Sequence, residues 1–159
     1  MRPVIVVLVV VMLMLTACTS PQIEITKNKQ QTAAIEPAYT GELLAGNISQ
    51  YRAFTQIDYT KALKEKKKIV LNFYADWCGV CHAEQPEIVA AFNELHDPDV
   101  IGFRVNYKDS DTDDAEVALA KKFGITYQHT KVLLKNGQRV LKAPDSWSKE
   151  RYLAEVGKL

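Results

Sequence analysis

The chain has 159 residues, 47% hydrophobic and 25% charged, with 20 lysines and arginines against 19 acids. That length suits one domain of ordinary size with some chain to spare, and the composition is that of a globular protein. A net charge of +1 without a basic stripe is no nucleic-acid footprint, so no nucleic acid is expected among its partners.

In chain order, "MRPVIVVLVVVMLMLTAC" carries one charge, Arg2, then an apolar run from Val4 to Leu15. A run of that length fits the core of a signal peptide and is short for a spanning helix, which needs about 20 residues. "LTAC", Leu15 to Cys18, resembles the lipobox of bacterial lipoproteins, in which a large aliphatic and two small residues precede a cysteine. That resemblance implies a signal peptide over 1–17 and a Cys18 that is acylated and becomes the new N-terminus. More than one acyl chain would make the attachment stable, since a single chain holds a membrane only marginally. The alternatives are an ordinary cleaved signal and an uncleaved short anchor; all three export the domain, and the lipobox gives the expected location as extracytoplasmic, anchored in the cell envelope or periplasm by lipid. Residues 18–49 then read as lipidated Cys18 and a polar, turn-rich tether.

The pattern turns globular near residue 50. "YRAFT" (51–55) is read as a strand, and 58–68 as a helix whose last turn is the solvated run "KEKKK". "KIVLNFYA" (68–75) is the continuous apolar run of a strand buried on both faces. A helix follows over 79–95, with Ile88, Val89, Phe92 and Leu95 as an inward stripe and a kink expected at Pro86. A strand at 99–107 precedes a helix at 113–124 with acids in its first turn, lysines in its last and Gly124 as its stop. A hairpin at 131–141 turns at Asn136-Gly137, and a helix at 148–159 is capped by Ser148. This order predicts an α/β fold: a central mixed β-sheet flanked by helices on both faces.

If Cys18 is lipidated, Cys78 and Cys81 are the only thiols left in the mature chain. One close pair builds no disulfide framework, so its role is chemical or none. "DWCGVCH" (76–82) is compatible with a reversible dithiol, a c-type haem attachment, or a soft-metal site. The haem reading lacks a methionine for the distal side, since Met1, Met12 and Met14 all lie in the leader; His96 and His129 are left to substitute. His82 reads as an exposed helix residue beside the pair. Cys78 stands where a buried strand ends and a helix begins. Free amides and the helix dipole favour a thiolate there, below the usual thiol pKa of about 8.5. Cys78 is thus the expected nucleophile and Cys81, one turn on, the resolving thiol. Gly79 leaves room for a second chain to approach, and Val80 brings no charge.

"VLNFYADWCGVCHAEQP" closely resembles the active-site segment of thioredoxins, and the likeness continues through "FRVNYKD", "AEVALAKKFGI" and "LLKNGQ". It spans residues 50–159, the expected thioredoxin-like domain. The stretch 113–137 is also similar to the C-terminal domain of periplasmic transmembrane disulfide reductases. The resemblance implies a thioredoxin fold and thiol–disulfide exchange through a Cys78–Cys81 redox pair, with Trp77 covering the pair. It implies protein dithiols and disulfides as substrates, a redox partner in or near the membrane, a monomeric state, and no cofactor or metal.

Two positions depart from that family. Asn72 stands where thioredoxins keep a buried aspartate that takes the second cysteine's proton, and an amide is no base. The change is either neutral drift or a shift in potential or turnover. His129 stands where the family has a cis-proline. A cis bond before histidine costs about 2.5–4 kcal/mol, so a trans bond is expected. His129 could be the missing base, a third ligand beside two thiolates, or a tolerated rim residue. The alternative function is accordingly a Cu(I) or soft-metal chaperone that uses Cys78, Cys81 and His129. Arg104 and Asn106 are read as polar groups at a sheet edge, and Trp147 and Tyr152 as packing residues.

Overall fold

The computed structural model describes residues 38–159. The leader, the lipobox with Cys18, and the first part of the tether lie outside the described residues. Six strands, β1 (Leu43–Ala45), β2 (Gln50–Ala53), β3 (Lys68–Tyr74), β4 (Val100–Asn106), β5 (Thr130–Lys135) and β6 (Gln138–Ala143), form one sheet in the order β1-β2-β4-β3-β5-β6. β2, β4 and β3 run parallel, while β1, β5 and β6 are antiparallel to their neighbours. The helices are α1 (Gln56–Lys64), α2 (Gly79–Glu94), α3 (Asp114–Phe123) and α4 (Lys149–Val156).

The alternation of side chains along β3 divides the core. Ile69, Leu71 and Phe73 pack with Tyr59 and Ala62 of α1 and with Leu119 and Phe123 of α3. Val70 points the other way, into a cluster with Ile88 and Phe92 of α2 and Tyr152 and Val156 of α4. Both faces are covered, as the unbroken apolar run of β3 requires.

Local chemistry sets the element ends. Asp113 and Glu116 form a capping box at α3, and the helix stops at Gly124 in the left-handed region, φ 61°. Asn136 and Gly137 have φ 52° and 74°, the left-handed pair of a two-residue hairpin. Ser148 caps α4 by accepting from the Arg151 amide. α2 runs through Pro86 as one helix.

Two expectations are corrected here. Folded chain starts before residue 50: β1 lies inside the expected tether, antiparallel to β2. The cause is buried Asp58, whose carboxylate accepts from the amides of Thr40 and Gly41 at 3.0 and 2.7 Å. Arg104 and Asn106 are not at a sheet edge, because β4 lies between β2 and β3. Arg104 instead places its guanidinium 5.2 Å from the Tyr74 ring centre.

Gly102 on β4 is required by close approach. A Cβ there would lie 2.4 Å from Phe92 and 2.8 Å from Tyr51, two rings stacked with centroids 5.2 Å apart. Gly102→Ala is expected to cost about 1–3 kcal/mol through overpacking. The denaturation midpoint of the variant measures it; an unchanged midpoint would mean the rings yield freely.

Candidate active site

Cys78 is the N-cap of α2, with extended backbone, and its Sγ accepts from the Cys81 amide at 3.2 Å. The strand-to-helix junction therefore points one helical donor at this sulfur. Cys78 and Cys81 form a disulfide with Cα atoms 5.2 Å apart. Both are largely buried, at 7% and 4% exposure, and pack with Ala75 and Tyr74. Gly79 is open, with nothing within 4 Å of where a Cβ would sit. The His82 ring contacts the Asp76 carbonyl and stacks edge-on against Tyr74.

Trp77 is 61% exposed, and its indole N–H donates to the Lys108 carbonyl at 2.9 Å. The Asp76 amide donates to the Asp109 carboxylate. These bonds tie the motif to the loop after β4, and Trp77 presents its ring to solvent beside the open backbone of Gly79.

Asn72 is buried on β3, opposite Lys131 of β5. Its Nδ2 donates to the Tyr51 hydroxyl at 3.1 Å, while its Oδ1 has no hydrogen-bond partner. Burial keeps the Tyr51 phenol protonated well above its ordinary range, so it acts as a neutral hydroxyl.

His129 precedes β5 in the left-handed region, φ 49°, and no described peptide bond is cis. Non-glycine residues pay about 1–2 kcal/mol for that conformation. The loop is held by two bonds: Thr130 Oγ donates to the Tyr127 carbonyl, and Lys131 Nζ to the His129 carbonyl, each at 2.8 Å. The sulfurs of Cys78 and Cys81 and a His129 ring nitrogen all lie within 4.8 Å of one another. His129 Nδ1 is buried without a hydrogen-bond partner.

A buried ion pair, which the sequence reading missed, lies behind the site. Lys131 pairs with Glu84 of α2, both side chains almost wholly buried. The ammonium also donates to the carbonyls of His129 and Asp145, using all three of its donors. Glu84 Oε1 accepts from the Trp147 amide at 2.7 Å and the Tyr152 hydroxyl at 2.9 Å. Burial holds the Lys131 pKa below its ordinary value, and the Glu84 carboxylate offsets only part of that. Tyr152 thus does more than pack. Glu84 falls on the same helical stripe as Cys81, Ile88 and Ala91, and that stripe was the available signal.

The thioredoxin family model matches residues 50–157. The chain belongs to the thioredoxin family. Mitochondrial thioredoxin-3 of Saccharomyces cerevisiae is 30% identical over 96 residues, covering 58% of this chain and 69% of that protein. The thioredoxin of Mycoplasma genitalium is 33% identical over 90 residues, covering 57% and 78%. Among solved structures, Trxlp of Edwardsiella tarda has a TM-score of 0.56 at 24% identity, covering 67% of this chain and 97% of that one. The sheet and its four helices are the thioredoxin fold. With family membership and a paired C-x-x-C, the chain is a thiol–disulfide oxidoreductase.

Proposed function

We propose that this thioredoxin acts outside the cytoplasm, held to a membrane by lipid on Cys18, and exchanges disulfides with other exported proteins. The observation that carries the chemistry is the Cys78 sulfur at the N-cap of α2, facing an amide donor beside an open Gly79. In the reduced protein, that donor and the helix dipole stabilise a Cys78 thiolate. It attacks one sulfur of a substrate disulfide; the S–S bond breaks, and the departing sulfur takes the pair of electrons. Cys81 then loses its proton and attacks the Cys78 sulfur of the mixed disulfide. The substrate leaves as a dithiol and the Cys78–Cys81 disulfide forms, so two electrons have passed to the substrate. Running backwards, the same steps oxidise a dithiol.

Asn72 cannot take the Cys81 proton. His129, whose ring nitrogen lies within 4.8 Å of both sulfurs, is the acceptor in this reading. Trp77 and Gly79 form the approach to Cys78. The export assignment is supported by the short apolar leader that ends in "LTAC".

The test uses the full-length chain expressed in a bacterium, fractionated, equilibrated in thiol redox buffers and trapped with a maleimide. Grown with labelled palmitate, the wild type is expected to carry the label and to titrate as a two-electron couple, and Cys18→Ser to carry no label and to have the same potential. A value near about −270 mV would make it a reductant and one near about −120 mV an oxidant. Failure to titrate as a two-electron couple would overturn the exchange reading. A wild-type chain without the label, or a Cys18→Ser chain that still carries it, would overturn the lipid anchor.

A further inference from the structure

We infer that the reduced form of this site is also a binding site for Cu(I), with Cys78, Cys81 and His129 as its three ligands. Geometry comes first. A d10 cation bonds sulfur at about 2.3 Å and imidazole nitrogen at about 2.0–2.1 Å, so three such ligands around one ion stand about 3.8–4.0 Å apart. Three donor atoms within 4.8 Å of one another can come to share one ion once the bond between the two sulfurs is broken and they move apart. Once the disulfide is reduced, the two sulfurs separate and can reach the cation from either side.

The second observation is the histidine itself. Its Nδ1 is buried and has no hydrogen-bond partner, an expensive condition for a polar atom that nothing engages. Its backbone is held in the left-handed region by the Lys131 and Thr130 bonds. Strain of that kind persists where the surrounding structure over-determines it, and it gathers at functional sites. This loop fixes an imidazole beside two sulfurs before any ion arrives.

The donor set decides between metals. Two thiolates and an imidazole are soft to borderline ligands, the class that selects Cu(I) or Zn(II) over hard cations. The cluster among the described residues holds three ligands and no carboxylate. Zn(II) is four-coordinate and would have to complete a Cys-Cys-His set with water, as catalytic zinc sites do, whereas Cu(I) is satisfied by the three protein ligands alone. On binding, the Cys78 thiolate bonds the ion directly, Cys81 gives its proton to solvent as its sulfur bonds, and no electron moves. Oxidation removes both thiolates, so disulfide and Cu(I) exclude each other and the redox state of the pair gates the site. The metal site needs the reduced thiols but not their exchange chemistry, which the thiol titration tests separately.

The test is competition for Cu(I) against bathocuproine disulfonate under argon. The protein is the full-length chain in detergent, reduced with a phosphine, with Cys18→Ser throughout so that the third thiol contributes nothing. One Cu(I) per chain is expected, with binding abolished after oxidation to the disulfide. His129→Ala and His129→Gln are each expected to weaken Cu(I) affinity at least about tenfold, the lower end of what even a residue behind the ligands contributes. Circular dichroism melts establish that both variants are folded. Less than one Cu(I) per chain, or folded His129 variants that hold Cu(I) as tightly as the parent, would overturn the assignment. Zn(II) is run in parallel against a zinc chromophore; stoichiometric Zn(II) without Cu(I) would also overturn it.

Discussion

A Cys81→Ala variant is expected to accumulate mixed disulfides through Cys78, while Cys78→Ala accumulates almost none and turnover falls to background in both. The asymmetry follows from position on α2. Cys78 is the N-cap, where its sulfur meets a helical amide and the positive end of the dipole, and where Gly79 leaves the approach open. Cys81 lies a turn inside the helix, away from its amide donors and from the open backbone of Gly79. Without Cys81 the first exchange still occurs and the second cannot, so the covalent complex persists. Non-reducing electrophoresis of the trapped cell extract reads this directly. Equal trapping by the two variants would reverse or abolish the assigned roles.

The second large effect is on stability. Lys131→Met is expected to cost about 3–5 kcal/mol, because it leaves the Glu84 carboxylate buried without its counter-charge. The double variant Lys131→Met/Glu84→Gln is expected to recover most of that loss. A glutamine carbonyl still accepts from the Trp147 amide and the Tyr152 hydroxyl, and no buried charge is left. Denaturant midpoints of the two variants and the parent form the measurement. A single variant that loses less than about 1 kcal/mol would mean that the pair is not buried in its charged form.

Much of this molecule can be read from its sequence, for physical reasons. Asp113 with Glu116, Asn136-Gly137 and Ser148 are local signals, complete within four residues, and each forms the turn or cap it spells. The redox pair is legible because its chemistry depends on a spacing of three and on a strand-to-helix junction visible in "KIVLNFYADWC". His129 could be placed near the sulfurs only through family likeness, since 48 residues separate it from Cys81. What escaped depends on long-range pairing. β1 is three residues long and exists because Asp58, far along the chain, holds Thr40 and Gly41. The Glu84–Lys131 pair was hidden because charged residues are ordinarily placed at the surface. Glu84 nevertheless sits on the inward stripe of α2, and Lys131 opens the apolar run "KVLL" opposite Asn72.

The two outer strands bear on how such a protein behaves when crowded on a surface. An unpaired strand is a template on which a neighbouring chain can add another, the first step of aggregation. β1 offers only three residues and its register slips between Leu43 and Ala45, so it makes a poor template. β6 is longer, but Gln138, Arg139 and Val140 stand exposed along it and Arg139 brings a charge to the rim. Neither border invites end-on-end growth of the sheet. Neighbouring copies would therefore find little to add to on either rim of the sheet, which leaves each dithiol free for exchange.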